Sequence, residues 1–326
     1  MKIAAAILLS LAASSPFAQD AEPEKLSEQI VVVGQKPGPG LWKVSKGDHV
    51  LWVFGSYAPL PRKMEWRSRE VEQILAESQE YLLPPNARAD VGFFKGLTLL
   101  PQMIGLKKNP DGAELKDVLP ADVYARWLEL KQKYIGEDSG IERERPLFAA
   151  GELHRRALGK IGLGTDKEVR ARIEKLVKQY ELRSTKTEVL LALDDPSRML
   201  KEFKKSPLED VACFRKTLDQ LEGELDTLRK RANAWAVGDI GEILKLNFAD
   251  RENSCRDAVY NSQFVKEQAS FHSMEQRMRE SWLSAAERAL AANRSTFAVL
   301  QLRDIVDPEG YIAALKARGY LVQPPE

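Results

Sequence analysis

Short apolar runs that are typical of β-strands occur near both ends of the chain. Residues 50–54 are continuously apolar, as expected for a strand that is covered on both faces. Residues 41–44 and 49–54 flank the polar segment 45–48, which predicts a hairpin with a four-residue connection. The other predicted strands are 81–83, 296–302 and 320–322. The pattern therefore predicts a sheet built from the two ends of the chain.

Helical periodicity dominates the middle of the chain, and no strand is predicted from about residue 84 to residue 272. The clearest pattern alternates apolar steps of three and four, which predicts one continuous helix of roughly 37 Å with a narrow apolar seam. The seam residues are Val211, Phe214, Leu218, Leu221, Leu225, Leu228, Ala232 and Trp235. Such a seam either packs inside the molecule or forms a coiled coil with a partner.

Three helix starts carry capping residues. Ser68 precedes a helix as its N-cap, and Ser273 begins a capping box for a helix that runs to about residue 292. Asp307 is predicted to cap a helix with Pro308 at its first position.

These elements predict an α/β protein, with α+β as the alternative. A mixed sheet would join residues 41–83 to residues 296–323, and residues 84–272 would form a helical insertion or cap. Residues 41–326 are interpreted as a single domain, preceded by a flexible segment over residues 19–40.

The first 18 residues have the pattern of a secretory signal peptide: Lys2, an apolar stretch over residues 3–13, and small residues up to Ala18. Cleavage is predicted near Ala18. The apolar run has about 11 residues, whereas a membrane-spanning helix needs about 20, so an uncleaved anchor is the less favoured alternative. The prediction is a periplasmic or secreted protein with no transmembrane segment after cleavage.

In an oxidising compartment, Cys213 and Cys255 are predicted to form a disulfide, with two separate buried thiols as the alternative. They lie 42 positions apart. A loop of that length gives roughly 4 kcal/mol of stabilisation in the chain-entropy account.

Composition excludes several classes of protein. The 49 Lys and Arg residues nearly balance the 48 Asp and Glu residues, which argues against a nucleic-acid binder. With 44% apolar and 30% charged residues, the chain has the composition of a globular protein. Three His and two Cys residues are too few for most zinc-site patterns.

Two loops that follow predicted strands, residues 55–61 and 301–308, are the expected binding region, because ligands of open α/β sheets bind beyond the carboxyl ends of strands. Ser56 follows a strand on a tight turn, as a nucleophile would, but the flanking glycines of a nucleophile elbow are missing. Tyr57 offers a stacking surface, and the neighbouring Trp42, Trp52 and Trp66 belong either to the same groove or to the core. The charged run 142–145 is interpreted as a solvated turn.

Motifs at both ends and in the middle of the chain resemble the TraB/GumN family, to which the Tiki metalloproteases are related. The resemblance covers nearly the whole chain after the leader. Its motifs are LWKV at 41–44, Gly55 with Leu60-Pro61, WRS at 66–68, Cys213 with Thr217-Leu218, Arg231-Ala232 with Trp235-Ala236, Val299 with DPEG at 307–310, and Gly319-Tyr320.

The resemblance implies a metal-dependent hydrolytic site made of a Gly-x-x-His loop, a Glu, an Arg and a second Gly-x-x-His. Gly55 keeps the first glycine, but Ala58 stands at the first His position and Pro84 at the Glu position. Asp304 stands at the second His position, without the glycine. The arginine corresponds to Arg277, with Arg279 as the alternative.

A catalytic metal needs about three protein ligands, and only Asp304 remains among these positions. No metal and no cofactor are therefore expected, and the favoured hypothesis is binding of a ligand, such as a peptide or a protein segment, in the cleft. The candidate ligand-binding residues are Gly55, Tyr57, Arg277 and Asp304. The alternatives are a peptidase-like hydrolase with a relocated or metal-free site, whose candidate catalytic residues are Arg277, Asp304 and Ser56, and a helical interaction protein.

The three histidines are assigned structural positions. His49 is placed at the edge of the hairpin, His154 in the core or at its boundary, and His272 in a surface connection. An acid–base arrangement of His272 with Arg277 and Asp304 is a further alternative.

Overall fold

The computed structural model describes residues 31–34, 38, 40–206, 208–245 and 250–325. The predicted signal peptide and most of the predicted flexible segment lie outside this range. The strands are β1 (Val31–Gly34), β2 (Leu41–Lys46), β3 (His49–Ser56), β4 (Leu60–Pro61), β5 (Glu65–Ser68), β6 (Glu80–Leu82), β7 (Asn86–Asp90), β8 (Leu163–Gly164), β9 (Arg183–Thr185), β10 (Glu188–Ala192), β11 (Ser295–Gln301) and β12 (Leu321–Gln323).

The main sheet has six strands in the order β12-β2-β3-β11-β6-β9. The β12–β2 and β2–β3 pairs are antiparallel, whereas β11 runs parallel to both β3 and β6, and β6 runs parallel to β9. The predicted α/β class and the mixed sheet that joins both ends of the chain are therefore confirmed. The hairpin is also present, with a tighter turn than predicted, because Lys46 already pairs with His49.

The prediction that no strand lies between residues 84 and 272 is wrong. The middle of the chain supplies β9 to the edge of the main sheet, and β10 pairs with β7 in a separate two-stranded parallel sheet. These strands are short, and most of their residues are exposed or half-buried. They are held by backbone pairing, so their sequences lack the apolar alternation from which strands are predicted.

The helices surround the sheet and fill the middle of the chain. They are α1 (Arg69–Glu77), α2 (Phe93–Leu99), α3 (Leu115–Val118), α4 (Ala121–Tyr134), α5 (Pro146–Lys160), α6 (Lys167–Gln179), α7 (Pro196–Lys205), α8 (Val211–Gly223), α9 (Leu225–Val237), α10 (Ile240–Lys245), α11 (Asp250–Tyr260), α12 (Gln263–Lys266), α13 (Met274–Ala292), α14 (Leu302–Val306) and α15 (Tyr311–Ala317). None of the described helices is both long enough and apolar enough to span a bilayer.

Two of the three predicted caps differ from the structure. Ser68 caps α1 as predicted, because its hydroxyl accepts a hydrogen bond from the Val71 amide. Helix α13 has the predicted extent, but Ser273 adopts a left-handed backbone conformation and makes no side-chain cap bond. Asp307 instead accepts a hydrogen bond from the Glu309 amide, and helix α15 begins only after Gly310.

The predicted long helix is two helices, α8 and α9, separated by Glu224. Glycine is a poor helix former, and Gly223 ends α8. The break lets one apolar seam serve two hydrophobic clusters. Leu218 packs with Trp127 in a cluster of the helical segment, whereas Trp235 packs in the cluster around the sheet. The seam is therefore buried within the chain.

The tryptophans near the N-terminal strands belong to the core. Trp42 and Trp66 are buried, and the Trp66 ring lies 5.5 Å from the ring of Phe54. Trp52 is partly buried, with the ammonium of Lys43 5.6 Å from its ring centre. These rings therefore belong to the core and not to a ligand-binding groove.

The charged run over residues 142–145 is not a solvated turn. The Glu142 carboxylate accepts a hydrogen bond from Trp127 Nε1 at 3.0 Å and pairs with Lys131 at 2.7 Å. Arg145 is only 2% exposed. The charges of this run suggested solvent exposure. Glu142 and Arg145 instead form hydrogen bonds or ion pairs with residues of other elements.

Glu80 on β6 is the buried carboxylate of the main sheet. It accepts hydrogen bonds from Asn293 Nδ2 at 2.6 Å, from the Arg183 guanidinium at 2.6 Å and from the Thr185 hydroxyl. Burial alone raises the pKa of Glu80, but the hydrogen bonds from Thr185, Arg183 and Asn293 outweigh it and hold the pKa below its ordinary value of 4.5.

We expect Glu80→Gln to remove a pH-dependent part of the stability. A lowered folded-state pKa stabilises the fold above the unfolded-state pKa, and this contribution is lost as pH falls through the folded-state value. The advantage of wild type over Glu80→Gln should be constant near pH 7 and shrink below about pH 4.5. Urea unfolding from pH 7 to pH 3 measures it, with Glu77→Gln, at an exposed position, as the control. A pH-independent difference between wild type and Glu80→Gln would contradict this assignment.

Candidate functional site

The parallel strands β3, β6 and β11 end at the same edge of the main sheet. The segments that follow Ser56, Leu82 and Gln301 therefore meet there, as the strand order requires. They form one side of a cavity of about 570 Å³. The opposite side comes from α5, α6, α8, α9 and α11 of the helical segment. The two loops predicted to bind a ligand thus border the same cavity.

The loop after β3 is fixed by contacts to both sides of the cavity. The Gly55 carbonyl accepts a hydrogen bond from Trp235 Nε1 on α9, at 3.1 Å. The Ser56 hydroxyl lines the cavity but donates to the Leu300 carbonyl at 3.3 Å. Tyr57 is 8% exposed and also lines the cavity. Burial raises the Tyr57 pKa to about 12, although Arg231, which is hydrogen-bonded to it, acts in the opposite direction.

Ala58 and Pro84, which stand at two metal-ligand positions implied by the family resemblance, both line this cavity. A methyl group and a pyrrolidine ring donate no electron pair to a cation. Among the described residues, no group of three His, Cys, Asp or Glu side chains is placed to hold a metal ion. The donor set at this position therefore does not fit the divalent metal that the resemblance implies.

Asp304 lies on α14, next to the cavity-lining Arg303, whose Nε is 3.5 Å from the Asp304 carboxylate. Burial raises the pKa of Asp304, and Arg303 partly offsets that effect. The carboxylate thus has a guanidinium partner on its own helix, close to the cavity wall.

Neither Arg277 nor Arg279 is among the described residues that line the cavity. Arg277 is exposed in the first turns of α13. Arg279 is half-buried, and its guanidinium donates to the Gly310 carbonyl at 3.4 Å, in the loop between α14 and α15. The structure therefore brings Gly55, Ser56, Tyr57 and the Arg303–Asp304 pair to the cavity region and places Arg277 away from the wall.

The histidines take three different positions. His49 begins β3 at the hairpin, 3.6 Å from Asp48. His272 is exposed, with its Nε2 2.7 Å from the Lys266 carbonyl. His154 lies at the boundary of the core, but it also lines the cavity, which the sequence did not predict. Burial, with the nearby Arg251 charge, lowers the His154 pKa to about 3, so the imidazole is neutral at neutral pH.

Arginine side chains are the most numerous charged groups on the cavity wall, and the sequence analysis did not predict them. The arginines come from α6, α9, α11 and α14, and they are Arg170, Arg231, Arg251, Arg256 and Arg303. Asp166 and Glu252 are the carboxylates on the wall. One feature of the sequence indicated the inward face of α11. Arg251 and Glu252 lie four and three residues before Cys255, so they share the helix face that carries the cysteine.

Cys213 and Cys255 lie together, with 4.4 Å between their Cα atoms, in a geometry that permits the predicted disulfide. Cys213 is on α8 and fully buried, whereas Cys255 is on α11 and lines the cavity. The pair thus joins the arginine-bearing helix α11 to the buried helix α8.

Comparison with models of protein families matches residues 40–324 to the TraB/PrgY/gumN family. Neither the curated proteins nor the solved structures gave a match.

Proposed function

The chain belongs to the TraB/PrgY/gumN family, and on this premise we propose that it is an exported binding protein that holds a ligand where the family resemblance places a metal-dependent hydrolytic site. The leader over residues 1–18 and the paired cysteines support the export part of the proposal. A short peptide or an exposed segment of a protein is the ligand class that we assign to the cleft.

The observation that carries the proposal is the position of Ala58 and Pro84. Both residues face the same cavity, where the family pattern has His and Glu, and neither side chain binds a cation or moves a proton. The cavity itself persists, with about 570 Å³ of space. That volume lies within the ~300–1,000 Å³ of typical small-ligand sites. A retained cavity without its reactive groups favours binding over hydrolysis.

The contacts of the candidate catalytic groups argue against a metal-free hydrolase. Ser56 donates its hydroxyl proton to the Leu300 carbonyl rather than to a base. The His154 imidazole, with a pKa of about 3, is a weak proton acceptor. An activated serine needs an adjacent base whose pKa is near the working pH.

The third hypothesis, an interaction surface along the long helix, loses its main support. Its seam residues Leu218, Leu228 and Trp235 are buried in the clusters of this chain. They are not available to a partner helix.

A thermal-shift screen of short peptides tests the proposal. We expect some peptides to raise the melting temperature of the wild type and to remain intact after prolonged incubation. Ala58→Trp is the matched control, because Ala58 is exposed on the cavity wall and an indole there would occupy the space. The absence of any stabilising peptide, equal stabilisation of Ala58→Trp, or peptide cleavage that is lost in Ser56→Ala or Asp304→Ala would overturn the proposal.

A further inference from the structure

We propose that the ligand of this cleft carries an oxyanion, a carboxylate or a phosphate, and that Arg251 and Arg256 of helix α11 bind it together with Arg231 of helix α9. The inference rests on the proposed function, because it assigns the ligand chemistry of the same cavity.

The charge on the wall favours an anion. Five arginines and two carboxylates line the cavity, which leaves an excess of three positive charges. The three other titratable lining groups add no charge near pH 7. Burial raises the pKa of Tyr57 to about 12 and also raises the pKa of Tyr260, whereas it lowers the pKa of His154 to about 3, so all three are neutral. A partly enclosed cavity with charge of one sign concentrates ligands of the opposite sign.

Each of the two carboxylates on the wall pairs with one of the arginines. Arg170 Nε lies 3.1 Å from Asp166, and Arg303 Nη1 lies 2.9 Å from Glu252. The wall carboxylates are thus engaged, and the arginines of the wall still outnumber them by three.

Arg231 is buried and Arg251 is half-buried, and both are held in place by hydrogen bonds. Arg231 is 5% exposed and is hydrogen-bonded to the Tyr57 side chain. Arg251 Nε donates to the Thr217 hydroxyl at 3.1 Å, which fixes the plane of its guanidinium. Burial lowers the pKa of Arg251, yet an arginine keeps its proton in a protein, so a buried charge remains. An anionic ligand would offset the cost of burying that charge.

Arg256 is the accessible member of the set. Its side chain is 42% exposed, and its Nε is 3.8 Å from Glu275 and 4.0 Å from Asp257, longer than a charge-assisted hydrogen bond. It is therefore placed to meet an incoming anion first. Leu228, Val299 and Leu302 supply apolar wall beside the arginines. The site suits a ligand with an anionic end and an apolar body.

The test compares matched probes by isothermal titration calorimetry on the oxidised protein. The probes are N-acetyl-Phe-Phe with a free carboxylate, the same dipeptide as its carboxamide, and phenyl phosphate. The loss of one charge-assisted hydrogen bond costs about 1.5–3 kcal/mol, so we expect the carboxylate to bind at least about ten-fold more tightly than the carboxamide. The stronger of the carboxylate and phosphate probes identifies the oxyanion.

Arg256→Gln and Arg251→Gln should each remove most of this preference, while Arg294→Gln should keep it. Arg294 is the matched control, because its side chain is 84% exposed and it is absent from the described cavity wall. Arg256→Gln replaces an exposed side chain, so it keeps the test decisive if Arg251→Gln fails to fold. Equal binding of carboxylate and carboxamide without binding of phenyl phosphate, oxyanion binding that is unchanged in Arg256→Gln, or binding of none of the probes overturns the inference.

The peptide screen shows whether the oxyanion inference alone fails or the proposed binding function fails with it. Stabilisation by neutral peptides that Ala58→Trp abolishes would leave the proposed function standing and remove only the oxyanion. A screen without any ligand would remove both.

Discussion

The double substitution Cys213→Ala/Cys255→Ala is expected to cost about 4 kcal/mol of unfolding free energy. The two cysteines close a loop across 42 positions of sequence, and cutting this link enlarges the unfolded ensemble. Cys213 is fully buried, and alanine fits its space without adding a polar group. The expected change therefore comes from the lost link between α8 and α11.

The same substitution should weaken ligand binding more than its effect on folding accounts for. Helix α11 carries Arg251 and Arg256, and the cysteine pair joins this helix to the buried α8. Urea unfolding measures the stability, and calorimetry at a temperature where both proteins are folded measures the binding. Thiol labelling of the denatured wild type without reductant is the control. Two labelled thiols, or a stability unchanged by the substitution, would contradict the predicted disulfide.

Arg145→Ala is expected to destabilise the fold by about 3–5 kcal/mol. The guanidinium donates to the carbonyls of Lys108 at 3.0 Å, Ser206 at 2.9 Å, Phe203 at 2.7 Å and Lys204 at 2.8 Å. It also lies 4.7 Å from the centre of the Phe203 ring. Three of these carbonyls lie at the carboxyl end of α7, where the last carbonyls of a helix lack their usual intrahelical donors, and the Phe203 carbonyl also accepts a hydrogen bond from the Ser206 amide at 3.3 Å. Truncation would leave all four carbonyls without this donor.

Arg143→Ala is the matched control, two residues away in the same charged run. Its side chain is 68% exposed, and its Nε lies 3.7 Å from Glu114. A surface change of this kind costs within about 0.5 kcal/mol. Chemical denaturation of the two variants and the wild type gives the comparison. Similar small losses for both variants would show that Arg145 is no more important than a solvated arginine.

The sheet could be predicted where burial leaves a mark on the sequence. β3 and β11 are buried along most of their length and read as apolar runs. β7 could not be predicted, because Asn86–Asp90 is mostly exposed and its pairing with β10 depends on backbone groups that every residue has. The break at Glu224 was missed for a related reason: the apolar spacing continues through it, and only the two separate clusters require the chain to turn.

Only one wall of the candidate site could be predicted from the sequence. Strand order placed the loops after β3 and β11 at one edge, and the sequence identified both loops. The opposite wall depends on how helices from distant parts of the chain pack over that edge. Arg231 and Arg251 look like ordinary helix-surface residues in the sequence, and tertiary packing turns them toward Tyr57 and Thr217. Sequence periodicity contains no information about such contacts.

Metal content measured by inductively coupled plasma mass spectrometry tests the central claim, that this cavity lacks the ligands for a catalytic ion. The protein is purified without chelator, incubated with equimolar Zn²⁺, Mn²⁺ and Co²⁺, and then desalted. The side chains of Ala58 and Pro84 have no atom that can bind a metal ion. We therefore expect far less than one equivalent of any of these metals to remain. One tightly retained equivalent, released when Asp304 is replaced by alanine, would contradict the account.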